Sequence, residues 1–205
     1  MNPITYPARP INGGPLDKVL PKSGAWCYEP KYNGWRALLH VPTGTLFNRK
    51  GQRLSIEQEF STAIASIQEL TGHGRDREFS WLDCEALERR LPIGKGSLLI
   101  LDAPLLAQQY ITRRRILHNA FGILNIYAAR DGSLADNSVH SVPWFDGESG
   151  LGPDVLWQRL QEENTRLRCQ FYEGLVAKRA DSRYPIQLRS PSEEFPFWVK
   201  HRWQF

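Results

Sequence analysis

Trp26-Cys27-Tyr28-Glu29-Pro30-Lys31-Tyr32-Asn33-Gly34-Trp35-Arg36-Ala37-Leu38-Leu39-His40-Val41 is the stretch from which the fold is read. Two runs rich in aromatic and aliphatic residues, WCYEPK and WRALLHV, flank Asn33-Gly34, a pattern of strand, turn, strand. A third run, GTLFNR, follows a turn at Pro42 to Gly44, so an antiparallel meander is expected from a core that starts near Trp26. Lys31 stands at the end of the first strand, just before the glycine that lets the backbone turn. A lysine so placed is held, and as a neutral amine it is a good nucleophile once burial or nearby cations lower its pKa. Taken alone, it also fits an exposed strand-end lysine.

Downstream, Ser55 is a candidate N-cap for a helix whose apolar positions Ile56, Phe60, Ile64, Ile67 and Leu70 recur near every 3.6 residues, with an end at Gly72. EFSWLDCEAL and SLLILDAPLL are short apolar runs that suit central strands. Thr112 is a candidate cap for a second helix with Ile116, Leu117, Ala120, Phe121, Leu124 and Tyr127 on one face. The run Arg113 to Arg115 is either a solvated edge of that helix or a phosphate contact. After a loop at Asp131 to Ser138 and the segment VHSVPWF, Pro153 suits the first turn of a third helix that buries Leu156, Leu160 and Leu167. GLVAKRA and PFWVKHRW read as strands. The class is therefore α/β (α+β), mostly antiparallel sheet flanked by about three helices. Upstream, Pro3, Pro7, Pro10, Pro15 and Pro21 with Gly13, Gly14 and Gly24 predict irregular backbone. The chain divides into a Pro/Gly-rich segment, 1–25, and one domain, 26–205.

With 205 residues, 41% hydrophobic and 23% charged, the composition excludes disorder, collagen-like repeats and membrane spans. The first residues lack the basic and apolar regions of a secretory signal, so a cytoplasmic protein with no membrane partner is expected. Cys27, Cys84 and Cys169 have no C-x-x-C spacing, which argues for free thiols and against a disulfide framework or a zinc site. The five histidines show no metal-ligand spacing. A formal charge of +4 permits nucleotides or nucleic acid as partners.

Lys31 is the first of six short motifs in order. Lys31-Tyr32-Asn33-Gly34 is followed by Asn48-Arg49, read as lying on a strand, then Leu82-Asp83-Cys84-Glu85, Leu101-Asp102-Ala103-Pro104-Leu105-Leu106, Glu173-Gly174-Leu175-Val176-Ala177-Lys178, and Trp198-Val199-Lys200-His201-Arg202. The ordered set resembles the covalent nucleotidyltransferase superfamily of ATP-dependent polynucleotide ligases and RNA capping enzymes. WCYEPKYNGWRAL looks most like the adenylation domain of bacterial end-joining DNA ligases.

The resemblance implies the nucleotidyltransferase fold, ATP as donor, and Mg²⁺ (or Mn²⁺). Lys31 would attack the α-phosphate of ATP to form lysyl-AMP. Glu29 would accept a hydrogen bond from the adenine amino group. Arg36 and Arg49 would hold ribose oxygens and a nucleic-acid phosphate, where their planar forks suit anionic oxygens. Glu85 and Glu173 would contact ribose and the metal, and Leu101 would stand where an aromatic usually stacks on adenine. Lys178, Lys200 and Arg202 would surround the α-phosphate. The reaction implied is the sealing of 5′-phosphate/3′-hydroxyl nicks in DNA, with RNA ligation as the alternative. The sequence departs from the pattern at Asn33, an aspartate in the family, at Leu101, and at Arg202, a lysine in the family. No OB-fold domain follows Arg202, so a separate protein supplying an OB-fold or clamp is a further expected partner. The rival expectation is a degenerate, non-catalytic nucleic-acid-binding subunit that keeps the fold.

Overall fold

The computed structural model describes residues 9–14, 25–87, 91–127, 134–146, 151–186, 190 and 192–203. The strands are β1 (Pro10–Gly14), β2 (Trp26–Tyr32), β3 (Trp35–His40), β4 (Thr45–Phe47), β5 (Trp81–Ala86), β6 (Leu98–Asp102), β7 (Val139–Ser141), β8 (Phe145–Asp146), β9 (Tyr172–Arg179) and β10 (Phe195–Arg202). The helices are α1 (Ser61–Leu70), α2 (Tyr110–Phe121) and α3 (Pro153–Leu167). One sheet runs β1-β10-β9-β2-β8 and the other β4-β3-β5-β6-β7. Pairing is antiparallel except for β1 with β10 and β6 with β7.

The expected meander breaks at its first turn. β2 pairs with β9 and β8, whereas β3 pairs with β4 and β5, so Asn33-Gly34 carries the chain from one sheet to the other instead of closing a hairpin. The reason is tertiary. The Asn33 N–H donates to the Phe171 carbonyl at 2.9 Å, and the Asn33 side-chain amide donates to the Gln170 carbonyl at 2.8 Å, pinning the turn to the entry of β9. An aspartate could not make the second bond, which gives the departure at Asn33 a structural use. Gly34 is required because a Cβ there would lie 2.6 Å from the Ala86 carbonyl oxygen. Lys31 therefore sits at the seam between the sheets.

Strand alternation sends one face of each strand into a core and leaves the other for the seam. In the first sheet Tyr28, Tyr32, Leu175, Ala177 and Val199 join a core with Leu156 and Leu160 of α3. In the second, Ala37, Leu39, Leu82, Cys84, Leu98 and Ile100 pack with Ile64 and Ile67 of α1 and Leu117 and Phe121 of α2.

Four local expectations change. Ser55 has φ of 54°, left-handed backbone that a capping residue does not adopt, and α1 starts only at Ser61, with Leu70 exposed. Thr112 lies inside α2, whose first N–H groups are capped by distant carbonyls: Tyr110 donates to Ser182 at 2.7 Å and Ile111 to Ala180 at 3.1 Å. That helix ends at Gly122, with φ of 68°, so Leu124 and Tyr127 lie beyond it. Asn48-Arg49 falls in the turn after β4, where Asn48 Oδ1 accepts from the backbone of Lys50 (2.8 Å) and Gln52 (3.1 Å).

Finally, the Pro/Gly-rich start is not irregular throughout. Pro10–Gly14 is a strand, and Gly13 allows its close approach, since a Cβ there would meet Val199 at 2.5 Å. Residues 15–24 and the expected loop at 131–133 lie outside the described residues.

Candidate active site

Between the sheets lies a cleft of about 270 Å³, and the first sheet lines it in register. Lys31 faces Gly174 and Gly174 faces Arg202; Glu29, Val176 and Lys200 form the next row; Cys27, Lys178 and Trp198 form the third. Residues from three distant stretches thus become neighbours because strand pairing aligns them. The second sheet contributes Arg36, Glu85 and Leu101, and Arg49 and Arg9 stand at the rim.

At one end, the Lys31 ammonium donates to the Glu173 carboxylate, and Arg202 Nη2 reaches the same Glu173 oxygen at 3.0 Å. Glu85 approaches from the other sheet, its Oε1 accepting the Gly34 N–H at 3.0 Å. Burial pushes the Glu85 carboxyl up to about 7, against the opposing pull of Lys31, Arg36 and the Gly34 N–H. Lys31 is thus flanked by one carboxylate from each sheet. Lys200, half-buried on the same face, has its pKa lowered by burial and then by Arg202 and Arg9.

Arg36 forms a two-pronged pair with the fully buried Asp83: Nε donates to Oδ1 at 2.9 Å and Nη2 donates to Oδ2. Tyr184 donates to the same Oδ2 at 2.7 Å. The Arg36 guanidinium lies 6.0 Å from the centre of the Trp198 ring. Arg49 is exposed at the rim.

At the other end, Glu29 is only 2% exposed. Its Oε2 pairs with Lys178 Nζ at 2.7 Å, and its Oε1 accepts from the Tyr110 hydroxyl at 2.7 Å, with Arg114 Nε at 3.5 Å. Lys178 Nζ sits 4.3 Å from the Trp198 ring centre, so its ammonium is held between a carboxylate and an aromatic face. Leu101 is half-buried in the wall, its carbonyl accepting from Arg114 Nη1 at 2.9 Å.

Neither expectation for the arginine run describes its first two members. Arg113 and Arg114 are 0% exposed. Arg113 clamps Asp102 through two bonds of 2.7 and 2.9 Å, and Arg114 donates to the carbonyls of Leu101 and Val142 and to Ser141 Oγ. They satisfy a buried carboxylate and the open ends of β6 and β7, and only Arg115 faces solvent. Asp83, Tyr184, Tyr110 and Arg114 are the site residues that sequence reasoning missed. Asp83 was inside a quoted motif and Arg114 inside the noted run, but the two tyrosines carried no local signal.

Among the described residues no group of three or more His, Cys, Asp or Glu converges to hold a metal ion. Glu85 and Glu173 nevertheless fit Mg²⁺, which is commonly held by one or two carboxylates together with substrate phosphates. The three cysteines are free, and burial, followed by Glu29, pushes the Cys27 thiol up to about 12, leaving it inert. No helix among the described residues is long and apolar enough to cross a membrane.

No protein-family model matches the chain. The multifunctional non-homologous end joining protein LigD of Mycolicibacterium smegmatis is 26% identical over 195 residues, 88% of this chain and 22% of that protein. The structure of mycobacterial DNA ligase D complexed with ATP and MES superposes over 97% of this chain and 60% of its own, with a TM-score of 0.52 at 18% identity. Another, Pmar-Lig_Pre, superposes over 98% of this chain and 47% of its own, with a TM-score of 0.57 at 17% identity. The fold is that of an ATP-dependent ligase adenylation domain. The chain spans about a fifth of the curated ligase and about half of the Pmar-Lig_Pre chain. Within this adenylation-domain fold the two facing sheets and the cleft between them are the shared feature, and the likeness supports a ligase-type nucleotidyltransferase.

Proposed function

We propose that the chain is an ATP-dependent polynucleotide ligase adenylation domain that charges Lys31 with AMP and passes it to the 5′-phosphate of a nick, in DNA ahead of RNA. The observation that supports this best is the placement of the Lys31 amine at the seam of the two sheets, between Glu173 and Glu85 and beside Arg202 and Lys200.

The Lys31 ammonium must give up a proton before it can attack, and Glu173, already hydrogen-bonded to it, is positioned to receive that proton. The Lys31 Nζ lone pair then forms a bond to the α-phosphorus of ATP as the bond to the bridging oxygen breaks, and pyrophosphate leaves with that electron pair. Arg202 and Lys200 stabilise the charge on the phosphoryl oxygens. Glu85 and Glu173 would hold Mg²⁺, which supplies neutralisation of phosphate charge when bound. Leu101, Val176 and Trp198 offer an apolar wall for the base, with Glu29 and Lys178 as its polar contacts. In the later steps, the exposed Arg49 and Arg202 suit phosphates of the nicked strand.

Intact-mass measurement after incubation with ATP and Mg²⁺ should show an added AMP that is lost in Lys31→Ala. An absent adduct, or one that survives the substitution, sinks this reading. Nucleic-acid binding that weakens with salt but comes without any adduct would favour a non-catalytic binding subunit. Parallel sealing assays on nicked DNA and nicked RNA decide the substrate.

A further inference from the structure

Glu29 lines the base end of the cleft, yet it is held there by a residue from the other half of the molecule. Tyr110 opens α2, which packs on the second sheet, and its hydroxyl crosses the seam to donate to Glu29 Oε1 at 2.7 Å. Tyr110 is itself fully buried, and its backbone N–H is tied to the Ser182 carbonyl, so the hydroxyl cannot drift. A carboxylate offers about four acceptor positions. Lys178 uses one on Oε2 and Tyr110 one on Oε1, and Arg114 stands 3.5 Å from Oε1 as a charge more than as a hydrogen-bond donor. Acceptor capacity therefore remains on a carboxylate whose rotation is fixed from two sides.

A ligand N–H donor meets that capacity, while a ligand carbonyl oxygen would face an anion and leave it unsatisfied. We propose that Tyr110 is a positioning residue that locks the Glu29 carboxylate as a purine selector, favouring a 6-amino over a 6-oxo purine nucleotide. The inference rests on the nucleotide-binding reading of the cleft, but not on the covalent step.

Equilibrium binding of ATP and of GTP, measured by calorimetry in a Lys31→Ala background, separates the two. The Lys31→Ala protein should prefer ATP, and adding Tyr110→Phe should shrink that preference about tenfold, chiefly by weakening ATP, with the melting transition retained. No preference in the Tyr110 protein overturns the proposal, as does an unchanged ratio or an equal weakening of both nucleotides in a folded Tyr110→Phe variant. If Tyr110→Phe fails to fold, Glu29→Gln, which presents an amide able to donate as well as accept, must erase the preference, and its persistence overturns the proposal. Should ATP bind preferentially while the Lys31 protein forms no AMP adduct, the ligase reading falls and the selector stands.

Discussion

Arg113 and Arg202 carry the same guanidinium and meet opposite surroundings. Arg113 is fully buried, with its fork spent on Asp102 and its remaining nitrogen donating to the Gln108 and Ser182 carbonyls. Arg202 has a half-exposed side chain, a 3.0 Å contact to Glu173, and a place on the cleft wall. A cation whose donors are all taken by the protein braces the protein. One with donors left over, facing a cleft, is available to an anionic ligand. The comparison predicts that stability and activity separate between the two regions.

The largest effect is expected from Arg113→Ala. It leaves Asp102 charged, buried and unpaired, which costs about 3–5 kcal/mol of folding free energy, measurable by urea unfolding. A loss below about 1 kcal/mol would break the contrast. Next comes pH. The Glu85 carboxyl titrates near 7 when folded against an ordinary value of 4.5, so the folded chain keeps a proton that the unfolded chain releases across that window. Stability should therefore fall as pH rises from 4.5 to 7, by up to about 3 kcal/mol at 1.36 kcal/mol per pH unit, and Glu85→Gln should flatten the slope. Adenylation should run the other way, rising through pH 7 as Glu85 ionises and can hold a metal ion. Urea unfolding and adduct formation measured side by side at several pH values check both signs.

A smaller effect, on function only, is expected from Arg202→Ala. Single-turnover AMP transfer should slow by about ten- to a hundredfold, while folding free energy stays within about 0.5 kcal/mol. Arg115→Ala should change neither quantity measurably, because Arg115 alone of its run faces solvent. If it slowed AMP transfer as much as Arg202→Ala, the division between bracing and cleft cations would need redrawing.

Much of the fold was legible because strand and helix patterns are local. The apolar runs around Leu82, Ile100, Val176 and Val199 form strands, and Pro153 does open α3 with Leu156 and Leu160 inward. The starts of α1 and α2 were misread because their caps are not the nearest polar side chains. The second helix takes its cap from the Ser182 and Ala180 carbonyls, some 70 residues away in the chain. The Asn33-Gly34 turn looked like a hairpin because its dipeptide is a hairpin dipeptide, and nothing within a few residues says that its flanking strands pair elsewhere.

Within the site, Glu29, Lys31, Glu85, Lys178, Lys200 and Arg202 could be singled out from their motifs, and the structure gathers them around one cleft or its edge. Asp83, Tyr184 and Tyr110 were not, since each acts by gripping another side chain across a gap that only the assembled sheets create.

Sequence by itself determined which segments alternate, where Lys31 stands relative to Gly34, and that two cations share a face of the last strand, because side-chain direction repeats every two residues along a strand. Tertiary structure alone decided that β2 and β3 belong to different sheets, and so that Lys31 lies at a seam, with Arg113 and Arg114 buried and Arg202 open to the cleft. Pairing between distant strands sets which polar groups lose water, and that loss decides whether a charge is spent inside the protein or kept for a ligand.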